Sequence, residues 1–186
     1  GPAVGMFLAE LGAQVIKVEH HLNQGDVTRK WKLPTESPDT DRSAYFSSVN
    51  WGKASIGVDL RTAAGQAIVY DLIGKADIVL ANYKPGDAQK LGMDAETLRA
   101  KRPGLIYADL TAYGPDDTRS GYDAIIQAMA GWFSVNGEEG SNPTRLGLAA
   151  VDMGTGLYSA IAILMAMAER EKSGKGQYLD MTLYDC

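Results

Sequence analysis

Apolar and polar positions along the chain follow two different periods. Apolar residues that recur every three or four positions predict helices, and short β-branched or continuous apolar runs predict strands. Gly12, Thr62 and Gly74 mark element boundaries, as helix-ending glycines and a helix-capping threonine do. The predicted elements are helix 4–11, strand 14–19, strand 55–59, helix 62–73, strand 77–80, helical segments 85–90 and 94–102, strand 105–110, helix 122–130, helix 157–170 and strand 177–182.

The order of these elements predicts the fold class. Strands that alternate with helices indicate an α/β domain, with a Rossmann-like, largely parallel sheet and helices on both faces. Ligands bind such sheets at the carboxyl ends of the strands. We therefore expect a site in the loops after Glu19, Asp59, Leu80 and Leu110. The polar loop over 20–43 is also long enough to suggest a functional role.

Asp152 is the strongest candidate for a reactive residue. It precedes a stretch with helical apolar spacing, which predicts a buried helix with one apolar face: Leu157, Ile161, Leu164, Met165 and Ala168. We expect Asp152 at the N-cap of this helix, where free N–H groups and the positive end of the helix dipole keep its carboxylate ionised. The small residues at 154–156 allow a ligand to approach the backbone. A plain structural cap is the simpler interpretation of such an aspartate.

Length, composition and charge narrow the class of protein. The 186 residues suffice for one domain with a core, and we expect residues 1–186 to form that domain. A net charge of −5 argues against a nucleic-acid surface. The apolar run 157–168 is too short for a membrane span, so no membrane is expected. The single cysteine, Cys186, allows no disulfide within the chain and no cysteine-based zinc site, which fits a cytoplasmic protein.

Several kinds of chemistry lack their sequence signals. The two histidines, His20 and His21, are adjacent and so are poorly placed to bind one metal together. The chain has no G-x-S-x-G, no G-x-G-x-x-G after a strand and no Walker A motif. We predict no metal site. Basic residues at strand ends, Arg61, Lys84 and Lys90, could hold phosphates, although each alone is more commonly a solvated surface charge.

Motifs spread over nearly the whole chain then add a resemblance. The runs are LGAQVIKVE at 11–19, GDVTR at 25–29, KASI at 53–56, ADIVLANYKPG at 76–86, GYD at 121–123 and GKGQ at 174–177. In this order they resemble family III CoA-transferases, a family that also includes the α-methylacyl-CoA racemases. The resemblance implies the large domain of such an enzyme, truncated so that the second, smaller domain is absent.

The resemblance also implies a mechanism and a set of site residues. Asp152 would be the nucleophile, forming an acyl-aspartyl anhydride and then an aspartyl-CoA thioester, from which an acceptor carboxylic acid takes the CoA. The backbone N–H of Gly154 or Thr155 would help to stabilise the oxyanions. The residues expected to bind CoA are His20, Val58, Arg61, Asn82, Tyr83 and Lys90. Those expected near the acyl group are Trp31, Tyr45 and Tyr122.

Other interpretations of the same residues stay open. Asn82 could form only a structural turn, and Trp31 and Tyr45 could pack in a core. The resemblance implies no permanently bound cofactor, with CoA and acyl-CoA as substrates. It also implies an interlocked homodimer for the full-length protein.

Two alternatives to CoA transfer differ in chemistry. Racemisation of an α-methylacyl-CoA needs an acid and a base beside the α-carbon. Racemases of this family carry a histidine after the glycine of the Gly-x-Asp run, where this chain has Tyr122, a poor base at neutral pH. The second alternative is an inactive CoA-binding fragment. Ser120 stands where the oxalate-specific member has a basic CoA contact, which argues against formyl-CoA as the donor.

Overall fold

The computed structural model describes the backbone of residues 1–186 and every side chain except that of Asn23. The chain divides into two compact units. Pro2–Lys75 form the amino-terminal unit, and Gly1 with Ala76–Cys186 form the carboxy-terminal unit. Each unit contains a parallel sheet of its own. The predicted parallel α/β fold is thus confirmed, with its strands hydrogen-bonded in two sheets rather than one. The assignment of residues 1–186 to a single CoA-binding and catalytic domain stays a prediction.

The amino-terminal unit is built around two parallel strands. Its elements are α1 (Pro2–Glu10), β1 (Val15–Glu19), 3-10 helices at His21–Asn23 and Val27–Lys30, α2 (Ala44–Asn50), β2 (Lys53–Gly57) and α3 (Ala63–Lys75). Strands β1 and β2 pair in register from Val15 with Lys53 to Glu19 with Gly57. The segment predicted as a long loop therefore contains two 3-10 helices and is followed by an unpredicted helix, α2.

Strand β1 places a charged side chain in the interior of this unit. Glu19 is only 7% exposed, whereas Ile16 and Val18 on the same strand lie at the surface. The Glu19 carboxylate accepts hydrogen bonds from Arg29 Nε at 2.8 Å and Arg29 Nη2 at 2.6 Å. It also accepts from Ser55 Oγ at 2.5 Å. This network satisfies the buried charge, as burial of an ionised group requires.

The carboxy-terminal unit is built around three parallel strands. Its elements are β3 (Ile78–Ala81), α4 (Asp87–Lys90), α5 (Ala95–Lys101), β4 (Ile106–Thr111), α6 (Asp123–Met129), α7 (Trp132–Val135), α8 (Ala150–Ser173) and β5 (Tyr178–Thr182). The strand order is β3-β4-β5, so β4 is central. Ile106, Tyr107 and Ala108 of β4 are fully buried. This continuous burial explains why β4 begins with an apolar run, Ile106–Ala108, that shows no alternation.

Local signals in the sequence fix several helix ends. The Thr62 hydroxyl accepts from Gly65 N at 3.0 Å, which confirms the predicted cap of α3. Asp94 caps α5 by accepting from Thr97 N at 2.9 Å. Gly174, with φ of +71°, ends α8 in the left-handed conformation that glycine adopts without strain.

Helix α8 is buried on a different face from the one that its apolar period predicted. Leu157, Ile161, Leu164 and Met165 are each about half exposed or more. The residues that it buries are mostly small: Val151, Thr155, Gly156, Ser159, Ala160, Ile163 and Ala166. Small side chains allow α8 to pack closely on β4 and β5. The hydroxyls on this face are satisfied within the helix, for example Ser159 Oγ by the carbonyl of residue 155 at 2.7 Å.

Helix α8 is also long and apolar enough to cross a membrane, judged by length and composition alone. Its most apolar 18-residue window has a mean hydropathy of 1.5. This is weak evidence for a membrane span, because core helices of soluble proteins share these properties, and α8 packs on two strands as a core helix does. The absence of a membrane partner stays a prediction.

Candidate functional site

The amino terminus of α8 carries Asp152 in its first turn. The helix begins at Ala150 and its N-cap is Ala149, whose side chain makes no capping hydrogen bond. Asp152 is therefore the third helical residue, and the prediction that it is the N-cap is wrong. The first turn still lies within reach of the positive end of the helix dipole, which favours an ionised carboxylate. Asp152 is an exposed residue, although the surrounding protein partly desolvates its carboxyl group.

A second aspartate supplies the cap that Asp152 does not. Asp123, the first residue of α6, accepts hydrogen bonds on Oδ2 from Val151 N at 2.9 Å and from Asp152 N at 3.0 Å. Its Oδ1 accepts from Nε2 of Gln127, which is fully buried one turn along α6. The sequence indicated Asp123 only as part of the GYD run. The signal missed was its helical spacing of four from a glutamine.

The charge state of Asp152 reflects its surroundings. Desolvation by the surrounding protein raises the pKa of its carboxyl group, and the negative charge of Asp123 raises it further. The net direction of the shift is upward, and the expectation that the helix end keeps this carboxylate ionised stays a prediction. The carboxylate of Asp152 is therefore more basic than that of an ordinary aspartate.

The expected oxyanion donors lie in the wrong place. Gly154 and Thr155 follow the first turn of α8, where each N–H bonds to a carbonyl one turn earlier. The first such bond runs from Met153 N to Ala149 O at 3.0 Å. Their N–H groups are therefore engaged within the helix, and the expectation that they stabilise an oxyanion is not supported. The cause is the earlier start of α8, two residues before Asp152.

The amino terminus of α8 lies beside the carboxyl ends of the strands in its unit. Val151 forms a buried cluster with Ile126 and Leu183, and Leu183 directly follows β5. Ala112 and Tyr113, which follow β4, pack against the same cluster. Asp152 therefore occupies the edge of the sheet at which parallel α/β folds bind ligands.

The other predicted residues of this unit are also near element ends. Asn82 directly follows β3, is exposed, and donates from Nδ2 to Leu110 O at 2.6 Å. Tyr83 is half-buried, and burial raises the pKa of its phenol. Tyr122 is 67% exposed and precedes Asp123. Lys90 is exposed, and its ammonium group contacts the carboxylate of Asp87 at 2.8 Å.

In the amino-terminal unit, three predicted CoA-binding residues gather at the carboxyl ends of β1 and β2. Arg61 holds Asp59 through two bonds of 2.9 Å, from Nε and Nη2. His20 Nε2 lies 3.6 Å from the same carboxylate. These contacts, those of Arg61 first, hold the pKa of Asp59 well below its usual range. Val58 is buried beside them. Asp59, which the sequence indicated only as a strand end, is thus the residue that Arg61 and His20 both contact.

A cavity of about 420 Å³ opens next to this cluster. Its walls are apolar at Ile56, Val58 and Ile68 and polar at Asp59 and Thr62. Thr62 is also the cap of α3, so an amino terminus with its positive dipole end adjoins the cavity. An apolar wall beside a helix start suits a flat aromatic ring with an attached phosphate.

Trp31 and Tyr45 form an aromatic pair in the same unit. Their ring centroids are 5.1 Å apart with the planes tilted by 58°. Each side chain is 44% exposed, so neither is a core residue in the described structure. The pair presents an apolar surface on which an acyl chain could pack.

Comparison with known proteins identifies the family. Residues 1–186 match the family model of CoA-transferase family III. The chain is 43% identical to succinate–glutarate CoA-transferase of Agrobacterium fabrum, over all of this chain and 48% of that enzyme. It is 39% identical to succinyl-CoA:glutarate CoA-transferase of Mus musculus, over 98% of this chain and 42% of that enzyme.

A solved structure agrees with the sequence comparison. A CAIB/BAIF family protein from Brucella suis has a TM-score of 0.93 and 44% identity, over all of this chain and 50% of that one. The chain thus spans about half the length of the curated relatives it matches. Because the match extends from the first residue to the last and includes the fold, the chain belongs to CoA-transferase family III.

Proposed function

We propose that this protein, as part of its full-length form, transfers CoA from an acyl-CoA thioester to an acceptor carboxylic acid. The observation that carries the proposal is an exposed carboxylate, Asp152, in the first turn of α8 at the carboxyl edge of a parallel sheet. Membership of the family and the names of the relatives support the same chemistry. Asp152 would act as the nucleophile.

The proposed reaction needs no net proton transfer. A carboxylate oxygen of Asp152 attacks the thioester carbonyl, the carbon–sulfur bond breaks, and CoA leaves as a thiolate, which produces an acyl-aspartyl anhydride. The thiolate attacks the aspartyl carbonyl of the anhydride and releases the donor acid as a carboxylate, leaving an aspartyl-CoA thioester. The acceptor carboxylate then repeats both steps in reverse order, so that Asp152 is freed and the new acyl-CoA departs.

Binding of CoA would fall to the residues at the ends of the strands. In the amino-terminal unit, the cavity beside Val58 suits the adenine ring, and Arg61 and His20 suit phosphates. Because Arg61 and His20 both face Asp59, an incoming phosphate has to compete with that carboxylate for them. CoA is a substrate in this scheme and no permanently bound cofactor takes part.

The remaining assignments complete the proposal. In the carboxy-terminal unit, Asn82, Tyr83 and Lys90 would contact CoA. Trp31, Tyr45 and Tyr122 would contact the acyl group. Three relatives are named for succinate or succinyl-CoA and for glutarate, which favours the CoA thioester of a dicarboxylic acid as donor and a dicarboxylic acid as acceptor. We further propose an interlocked homodimer in the cytoplasm for the full-length protein.

The deciding experiment uses Asp152→Asn in the full-length protein. Exchange of CoA between succinyl-CoA and a panel of dicarboxylates should fall by about 1,000-fold or more, because the amide cannot act as the nucleophile. The affinity for CoA should stay within about threefold, since the change leaves the CoA contacts intact. Asp116→Asn, an exposed aspartate of the same unit, serves as the matched control and should keep full activity.

Mass spectrometry identifies the covalent site directly. Wild-type protein quenched during turnover should carry CoA on the peptide that contains residue 152, and Asp152→Asn should not. Normal turnover by Asp152→Asn, or an adduct on a different peptide, would show that the nucleophile is misassigned.

A further inference from the structure

Beside the proposed nucleophile, Asp123 and Gln127 form a hydrogen-bonded pair with no part in the steps above. We propose that Asp123, held in place by Gln127, positions Asp152 for its attack on the thioester. Asp123 is thus a positioning residue, which acts through the backbone of α8. The inference rests on the proposed role of Asp152 as nucleophile.

The first support is the external cap. Helix starts usually take their cap from a neighbouring residue in the sequence, whereas α8 takes its cap from a residue on another helix, 28 and 29 positions away. One oxygen of Asp123 receives the N–H groups of both Val151 and Asp152. Asp123 therefore holds the backbone of Asp152, the residue that carries the nucleophilic side chain, in place.

The second support is that only a carboxylate fits between these groups. Gln127 is fully buried, and its amide orientation is set by its neighbours: Leu146 N donates to Oε1 at 3.1 Å and Nε2 donates to Leu148 O at 3.1 Å. Nε2 must therefore also face Asp123 as a donor. Asp123 meets donors on both oxygens, and an asparagine there would turn its own NH₂ towards a donor in either orientation.

The third support is the division of tasks between two carboxylates. Asp123 accepts hydrogen bonds from the free N–H groups at the start of α8, so the oxygens of Asp152 are not needed as a helix cap. The charged side chain that acts on Asp152 is Asp123. The like charge of Asp123 makes the neighbouring carboxylate more basic, as a nucleophile requires.

The test is Asp123→Asn in the full-length protein, followed by CoA exchange across a pH series. We expect kcat to fall by about 10- to 100-fold, because a misplacement of about 1 Å has effects of this size. The KM for the acyl-CoA should change by less than about threefold, since Asp123 does not belong to the proposed CoA contacts. The acid limb of the pH profile should move to lower pH, because loss of the like charge lowers the pKa of Asp152.

Two further variants separate positioning from folding. Gln127→Met removes the support but keeps the charge of Asp123, so kcat should fall while the acid limb stays in place. Asp94→Asn changes the carboxylate cap of α5 in the same unit and should alter neither property. If Asp123→Asn does not fold, Gln127→Met still decides the question.

The outcomes also separate this inference from the proposed function. Loss of exchange in Asp152→Asn with unchanged kcat and pH profile in Asp123→Asn and Gln127→Met would overturn only the positioning role. Equal effects of Asp123→Asn and Asp94→Asn would do the same. Normal exchange by Asp152→Asn would overturn the nucleophile itself, whatever the other variants show.

Discussion

The buried carboxylate of Glu19 provides a quantitative test of the fold. Hydrogen bonds from Arg29, Ser55 and the backbone of Asp26 outweigh the opposing effect of burial and lower the pKa of Glu19 from its ordinary 4.5 to about 2. This difference corresponds to about 3 kcal/mol of stability for the folded state. Since Arg29 is partly solvated, screening reduces the expected contribution to about 2 kcal/mol.

Replacement of Glu19 by glutamine should lower the free energy of unfolding at pH 7 by about 2–3 kcal/mol. The amide keeps one acceptor but turns its NH₂ group towards the donors of Arg29, so at least one of the two bonds is lost. Urea unfolding of the full-length protein, followed by tryptophan fluorescence, measures the loss. Trp31 and Trp51 report on the unit that contains Glu19.

The pH dependence gives the sharper test. The folded-state pKa of Glu19 is lower than the unfolded one, so its stabilisation is fully present above pH 4.5 and is lost as the pH falls towards 2. At pH 3 less than about half of it should remain. Glu10→Gln, at an exposed position in the same unit, is the matched control. A difference between wild type and Glu19→Gln that stays constant from pH 7 to pH 3 would refute the assignment.

Two further predictions concern packing and binding. Gly176→Ala should lower the free energy of unfolding by about 2–4 kcal/mol, because a Cβ at this position overlaps the carbonyl of Leu105. Gly104→Ala is the control, since its Cβ makes ordinary contacts only, and it should lower the free energy of unfolding by less than about 1 kcal/mol in the same urea assay. Arg61→Gln should weaken CoA binding by about tenfold at low salt and reduce its salt dependence, measured by calorimetry. Arg42→Gln, at an exposed arginine of the same unit, should change neither the CoA affinity nor its salt dependence. Equal behaviour of the two variants would show that Arg61 does not bind CoA.

Local signals allowed the sequence to predict the elements and most of their ends. A threonine at the start of α3 and Gly12 after α1 act through contacts within a few residues, and the structure shows both of them, whereas Gly74, predicted to end α3, lies inside that helix. Short helices such as α2 and α7 escaped prediction because four to seven residues show too little of a helical period.

The burial of particular faces was less accessible to sequence reasoning. The apolar period of α8 identified a face but not its environment, and the helix instead buries small residues that allow close contact with β4 and β5. In β1 the apolar residues Ile16 and Val18 face outwards while Glu19 is buried. The partners that make this possible, Arg29 and Ser55, lie 10 and 36 positions away. The sequence pattern of a single strand or helix cannot predict partners that are so distant in the sequence.

The candidate site shows the same limit in its chemistry. The sequence pointed to Asp152 because an aspartate before a helix is typical of a cap. The oxygens of a capping aspartate, however, accept hydrogen bonds from backbone N–H groups. In the structure Asp123 caps α8, and Asp152 lies in the first turn, where the helix dipole still acts on it. A nucleophile needs this arrangement rather than the predicted one, because its oxygens must be available to the substrate. The residue chosen from the sequence is thus retained for a different reason, which depends on a contact between two helices.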